Sequence, residues 1–526
     1  MKRRAFLVAG GTGAAVALSA QSVVACSSPA PNQPPVATGE VEAIIARLRT
    51  QYLAQFDADY VENVILPSYL VSVYDGQRPV LPMIDVALTK ENALPYDLWG
   101  LLSKTWKPAP EEGVTVFLQG LEKRGPDNRR KRIYMSAVTP DLYRGMYSAK
   151  IIRFFDQLFS PANAGKPLMR IYLDTFWDLY WDLHLGVKGD QLPAQVRDIG
   201  ASFNTVLAFR DPTQKIVYDN YMVVRKNLDF LKSWIDDRLK DIQSGKTPEP
   251  EKTFAWYWLK NGEESEYFNH KDVVFECFHN FVAFSQWGNT LYNIMLKFSR
   301  DGGDPQAKDW FTKTMVGDYD KADGSAFPPL ERLVMELFRT ISPNGGSISA
   351  LEETRPPAYE RHGYIVSPHT STSHDPVQWN NPDEFDPSRY VHAPTSQDVD
   401  ETRIRQIGLA QCPFTQTEFA VKDGRKAALH NSAFGTVFGV VDDHPLPVCD
   451  YAGFAPFGFG YRRCPGEQLT IMAFEDLLRM VSKERIEFMK VRGADAETVP
   501  IGPGAETLPI GPTTVIHDDI GFVRSV

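Results

Sequence analysis

The residues best placed to do chemistry lie in the run Phe457-Gly458-Phe459-Gly460-Tyr461-Arg462-Arg463-Cys464-Pro465-Gly466. Cys464 stands at the head of an apolar-periodic stretch, Pro465 to about Ser482, that reads as a helix. A cysteine at a helix N-terminus is held as thiolate by unpaired N–H groups and by the helix dipole, and a thiolate can serve as a metal ligand. Pro465 suits the first helical position, where its missing N–H would be unpaired anyway. Gly460 and Gly466 let the backbone approach a flat ligand closely. Arg462 supplies a cation for an acidic group on that ligand, and Phe457 an apolar shield for the sulfur. The alternative for Cys464, a buried and inert thiol, leaves this set of neighbours unexplained.

The run matches F-x-x-G-x-R-x-C-x-G at every specified position, and a chance match in a chain of 526 residues is on the order of one in ten thousand. On these residues the chain resembles the cytochrome P450 family. The resemblance implies haem b (iron protoporphyrin IX) as cofactor, with Cys464 as the iron ligand and Phe457, Gly460, Arg462 and Gly466 around it. It also implies an E-x-x-R pair in an earlier helix, locked by a later arginine. Glu336/Arg339 and Glu352/Arg355 both fit, and the first is preferred because Pro343 follows at the family's helix-then-proline spacing. The third partner is Arg389, in a segment from Asp375-Pro376 through Trp379 to Pro387-Ser388-Arg389-Tyr390 that resembles D-P-x-x-W…P-x-x-F-x-P-x-R-[FY]. A buried Arg–Glu–Arg cluster is costly unless fully paired, so the role implied for Glu336, Arg339 and Arg389 is structural. Arg129 to Arg132, followed by Ser136-Ala137-Val138-Thr139-Pro140, resembles the family's C helix, whose basic residue reaches a haem propionate. Lys131 and Arg132 are both candidates for that residue, and a solvated basic face is the alternative.

The chain departs from the family where oxygen is activated. P450 monooxygenases carry a motif like A-G-x-[DE]-T-T on the long helix over the haem, whose acid and alcohol help deliver protons. The matching stretch here is Ala283-Phe284-Ser285-Gln286-Trp287-Gly288-Asn289-Thr290, in which Gln286 replaces the acid and Trp287 the alcohol. No Asp or Glu lies between Glu276 and Asp301, so no shift of register restores the carboxylate. Family members without the pair commonly receive oxygen already reduced, as a peroxide or an organic hydroperoxide, and an amide on the helix then contacts it. Asn280 and Gln286 are the candidates, each with the alternative of an amide satisfied in a buried helix interface. The expected reaction is peroxide- or fatty-acid-hydroperoxide-driven oxidation of a small apolar substrate. Reductase-driven monooxygenation with an unassigned redox partner, and a non-enzymatic haem sensor or carrier, are the alternatives.

These residues must be positioned by helices. Apolar spacing from Gly39 to Tyr60 indicates one, with Val41, Ile44, Ile45, Leu48, Tyr52 and Phe56 on one side. Glu264 to Arg300 has no proline and is apolar nearly all round, so it reads as a long buried helix ended by Asp301-Gly302-Gly303. Another runs from Leu330 to Ile341, before a loop-rich region with short β-like runs such as Gly363 to Ser367. Pro500-Ile501-Gly502-Pro503 echoes in Pro509-Ile510-Gly511-Pro512, which suggests a hairpin. The fold expected is mainly α with a smaller β portion, a cytochrome P450 fold in one large domain over 39–526. The 66 residues between Tyr390 and Phe457 exceed the family's usual length, which marks 391–447 as an insertion.

The ends and the charge set the setting. Lys2-Arg3-Arg4 followed by an uncharged stretch to Ala25 is an export signal over 1–25 with a twin-arginine look, and Val23-Val24-Ala25-Cys26 resembles a lipobox that would lipidate Cys26. Ser27 to Thr38 reads as a Ser/Pro-rich tether within 26–38, so an exported, periplasmic or cell-surface and lipid-anchored protein is expected. A net charge of −10 offers no general attraction to nucleic acid. Five widely spaced cysteines do not read as a disulfide framework.

Overall fold

The computed structural model describes residues 38–66, 71–73, 133–209, 211–262, 268–321, 323–325, 327–343, 347–350, 364–367, 369–376, 379–391, 428–431, 437–441, 444–449, 454, 456–457, 464–491, 507–511 and 514–524. Cys26, Lys131, Arg132, Gly460, Arg462, the Glu352/Arg355 alternative and the export segment fall outside these residues.

Helices dominate. They are α1 (Thr38–Leu53), α2 (Ser148–Leu158), α3 (Met169–Leu185), α4 (Ala194–Ala208), α5 (Lys215–Gln243), α6 (Phe254–Gly262), α7 (His270–Phe298), α8 (Pro305–Val316), α9 (Pro329–Ile341) and α10 (Glu467–Lys483). The long buried helix expected from Glu264 begins later, at His270, because Asn269 caps it. The Asn269 side chain accepts from the N–H groups of Lys271 and Asp272, and the Asp272 carboxylate accepts in return from the Asn269 N–H at 2.7 Å. Helix α9 opens on Pro329 and closes where Ser342 turns left-handed (φ 47°), just before Pro343. The helix after the cysteine starts at Glu467 with Gly466 as its N-cap, so Pro465 lies in the entering turn and not at the first helical position.

The sheets are small. β1 (Val71–Val73) pairs parallel with β3 (Tyr364–Ser367), which pairs antiparallel with β2 (Ser347–Ala350). Further along, β4 (Ala428–Asn431), β5 (Val437–Val441) and β6 (His444–Cys449) form an antiparallel sheet. β7 (Ile486–Lys490) pairs with the final strand β10 (Ile520–Arg524), in a register that sets Phe488 opposite Phe522. β8 (Thr507–Gly511) and β9 (Thr514–His517) form the tail hairpin. Its partner strand is thus the segment after Gly511, while the Pro500–Pro503 copy of the echo lies outside the described residues.

The core is a continuous aromatic and aliphatic body in which Tyr60, Tyr180, Trp181, Trp258 and Phe281 are wholly buried. One close crossing is between β8 and α7. A Cβ on Gly288 would collide with the Ile510 carbonyl and lie 2.9 Å from the Tyr172 ring, and one on Gly511 would lie 2.8 Å from the Ser285 carbonyl. The Asn204 amide of α4 donates to the Pro509 carbonyl, holding the hairpin from its other side. The tail is tied in further: Arg524 donates to the Phe159 carbonyl, the N–H groups of Gly165 and Leu168 donate to Phe522 and Ile520, and Asp518 caps the start of α3.

Candidate active site around Cys464

Cys464 leads into α10, is partly exposed and forms no disulfide among the described residues. The loop before it is closed by a hydrogen bond from the Cys464 N–H to the Phe457 carbonyl at 2.8 Å. The Phe457 ring packs on Phe338 of α9 (centroids 5.0 Å apart), and Phe338 packs on Phe474 of α10. One aromatic stack therefore holds both the loop and the helix that follows the cysteine. At Gly466 a Cβ would lie 3.9 Å from the Cys464 Sγ, in ordinary van der Waals contact.

These residues fit a prosthetic group bound through a single thiolate. The N-terminus of α10 follows the sulfur, and the Phe457 ring packs on α9 at the start of the loop that carries it. Among the described residues no cluster of three or more His, Cys, Asp and Glu is placed to hold a bare metal ion. Cys277 is different: it is wholly buried, and burial pushes its thiol pKa well up, so it remains a neutral packing group.

Behind the loop, Glu336, Arg339 and Arg389 come together. Arg339 grips both oxygens of Glu336 (2.7 and 2.8 Å), and Arg389 Nε donates to Oε1 at 3.2 Å. The Tyr390 hydroxyl and the Asp386 N–H also donate to this carboxylate, each at 2.9 Å. The rest of the Arg339 guanidinium donates to the carbonyls of Ser373, Pro382 and Glu384, and Trp379 packs against both arginines. Glu336 and Arg339 are wholly buried, and every strong donor of Arg339 has an acceptor, which offsets the cost of burying the charges.

On α7 the residues singled out by sequence separate. Asn280 and Trp287, seven positions apart, share one stripe of the helix, whereas Gln286 lies about 120° round from Asn280. Asn280 is buried, with both ends of its amide engaged: Oδ1 accepts from the Tyr134 hydroxyl at 2.8 Å, and Nδ2 donates to His184 Nε2 at 3.0 Å. His184 Nδ1 reaches the Tyr180 carbonyl at 2.7 Å, so this nitrogen carries the proton and Nε2 the lone pair. Burial lowers the His184 pKa to about 3, keeping the ring neutral. Trp287 donates from its indole N–H to Thr470 of α10 at 3.2 Å and packs on Phe474. It ties the two helices together. The Gln286 amide is half-buried and makes no side-chain hydrogen bond among the described residues.

Tyr134, His184, Trp258 and Thr470 escaped the reading of the sequence. Tyr134 is buried, and burial pushes its hydroxyl pKa well up, with Glu276 and Cys464 adding smaller contributions. Trp258 donates to the Tyr134 carbonyl at 3.0 Å and stacks on its ring, with centroids 5.1 Å apart.

Comparison with known proteins is informative at the level of fold. No protein-family model matches the chain, and no curated protein matches it either. Among solved structures, a zebra fish cytochrome P450 with abiraterone aligns with a TM-score of 0.53 at 13% identity, covering 85% of this chain and 92% of that one. The heme domain of a cytochrome P450DA mutant gives 0.52 at 12% identity and 87% of each chain. A cyanobacterial CYP120A1 with retinoic acid bound gives 0.51 at 14% identity, covering 84% and 86%. The fold is mostly helical with small sheets, and it is the cytochrome P450 fold.

Proposed function

We propose that the protein is a haem-thiolate oxidoreductase of the P450 type, which binds haem b through Cys464 and oxidises a small apolar substrate with a peroxide or a fatty-acid hydroperoxide. The P450 fold supports the oxidoreductase class. The observation that carries the peroxide reading lies on α7. Between Glu276 and Asp301 that helix has no carboxylate, and the residue in the alcohol's place, Trp287, spends its N–H on Thr470. Haem on a thiolate supplies redox chemistry at oxygen when bound. The chain's own residues supply the rest. Cys464 donates charge to the metal from a loop fixed by Phe457, and Trp287 and Phe474 exclude water where α7 meets α10. The Gln286 amide, which has no side-chain hydrogen bond among the described residues, can donate to a peroxide oxygen without moving a proton. Residues 1–26 would export and lipidate the protein, placing it away from the cell's soluble reductants, in keeping with an oxidant that arrives already reduced.

The test is incubation of the haem-loaded protein with hydrogen peroxide and a panel of fatty-acid hydroperoxides, with products identified by mass spectrometry. Turnover without any reductase is expected, and Gln286→Ala should lower it by about a hundredfold if the amide steadies developing charge. Inertness to every peroxide, together with turnover when electrons are supplied, would establish the reductase-driven alternative instead.

A further inference from the structure

Trp287 is buried, and its side chain is turned towards α10. The indole N–H donates to Thr470 Oγ1 at 3.2 Å, and the ring meets Phe474 edge-on, with centroids 5.9 Å apart and an interplanar angle of 68°. From there direct contacts run in a closed circuit through the cysteine. Phe474 packs on Phe338 at 5.7 Å, and Phe338 packs on Phe457 at 5.0 Å. The Phe457 carbonyl accepts from the Cys464 N–H at 2.8 Å, and the Cys464 carbonyl accepts from the Glu467 N–H at 3.4 Å. The Gly466 carbonyl accepts from the Thr470 N–H at 3.0 Å, and the Thr470 hydroxyl returns the circuit to Trp287.

The next residue on α7 supplies the fixed point. A Cβ on Gly288 would collide with the Ile510 carbonyl, so α7 is pressed against β8 at the same level at which Trp287 reaches α10. The two directions differ by about 100° around the helix. Rolling α7 to loosen one contact would drive the other into its neighbour, and α7 is therefore a rigid reference against which α10 is set.

We infer that Trp287 is a positioning residue for the thiolate: by its hydrogen bond to Thr470 it holds the first turns of α10, and Cys464 with them, in place against α7. This rests on the haem-thiolate reading above. Backbone hydrogen bonds join the first turn of α10 to Cys464, so a displacement of Thr470 is passed to the sulfur and is not absorbed by a flexible side chain. Packing alone would be served by any ring that fills the space between α7 and α10. The indole N–H adds direction, because a hydrogen bond weakens steeply when its angle or length changes. A phenylalanine at 287 would supply the ring without the direction, and a valine at 470 would supply the shape of threonine without the acceptor.

The experiment compares wild type, Trp287→Phe, Thr470→Val and the double variant, all haem-loaded. The long-wavelength Soret band of the reduced carbon-monoxide complex reports thiolate ligation, and its decay is followed well below the melting temperature, alongside the helical circular dichroism signal. Each single variant should lose the band about threefold to tenfold faster than wild type, the range that one net hydrogen bond supplies. The double variant should be no faster than the singles, because both substitutions remove the same contact. The helical signal should persist while the band decays, which a merely structural role would not produce. Decay at the wild-type rate in Thr470→Val overturns the proposal, as do single effects that multiply in the double variant and a band that is lost only together with the helical signal. If Trp287→Phe does not fold, Thr470→Val decides alone by the same rate. Wild type that never shows the band overturns the haem-thiolate reading itself, whereas a wild-type band with unchanged variants removes this inference alone.

Discussion

The Cys464 thiol and the α7 amides show how differently two kinds of residue can be read from sequence. Cys464 belongs to a local pattern: its glycines, its aromatic neighbour Phe457 and the helix after it all lie within a dozen positions, so the chemistry is legible from spacing alone. Asn280 is not. Its partners Tyr134 and His184 are 146 and 96 positions away, and nothing local distinguishes an amide facing a ligand from one bridging two helices. The structure places Asn280 in the bridging position and leaves Gln286 with its amide unengaged among the described residues. At this scale the expected outcome concerns the ligand. The reduced carbon-monoxide complex of the wild type should show the long-wavelength Soret band after which the P450s are named, and Cys464→Ser should abolish it, because a hydroxyl cannot give the thiolate's charge to iron. Retention of the band in the serine variant would remove Cys464 from the site.

Helices α3 and α7 carry one expectation each at the scale of the element. The first concerns pH. His184 is neutral in the fold with its pKa lowered from 6.5 to about 3, so below 6.5 the unfolded chain takes up a proton that the folded chain refuses. Stability should therefore fall as pH drops from 6.5 towards 3, by up to about 1.4 kcal/mol per pH unit. His184→Gln should flatten that part of the curve in chemical denaturation measured against pH; an equally steep curve in the variant would show that other groups set the acid limit. The second concerns Gly288. An alanine inside an exposed helix usually gains about 1 kcal/mol over glycine. Here the added methyl would meet the Ile510 carbonyl and the Tyr172 ring, so Gly288→Ala should instead lower stability by about 1–3 kcal/mol. A rise in melting temperature would mean that the hairpin gives way. The helix itself was legible from its apolar run, but its start was not, because the Asn269–Asp272 cap is a short polar signal inside a region that propensity alone extends.

For the molecule as a whole, the fold was legible through three distant motifs and hardly at all through composition. Pro329 and Pro343 bound α9, and the Trp379 to Tyr390 segment supplies the groups that surround it, so Glu336, Arg339 and Arg389 could be matched before their contacts were known. The small sheets were not legible in the same way. Strands of three to six residues, paired across long stretches of chain, carry too little periodicity to announce a partner. Because Glu336 is the acceptor for Arg339, Arg389, Tyr390 and Asp386 together, Glu336→Gln should cost about 3–5 kcal/mol and lower the yield of haem-loaded protein. A variant that melts with the wild type would show that the carboxylate's charge is dispensable.

The final strand bears on how the chain is made. β10 lies beside β7, Asp518 caps α3, and Arg524 holds the carbonyl of Phe159, 365 positions earlier. A ribosome adds residues from the N-terminus, so α3 waits uncapped and this sheet half built until Asp518 and β10 have been made. Truncation after Ile516 should accordingly leave a protein that accumulates as aggregate, and recovery of soluble, haem-loaded material from that truncation would show that the closing strand is dispensable.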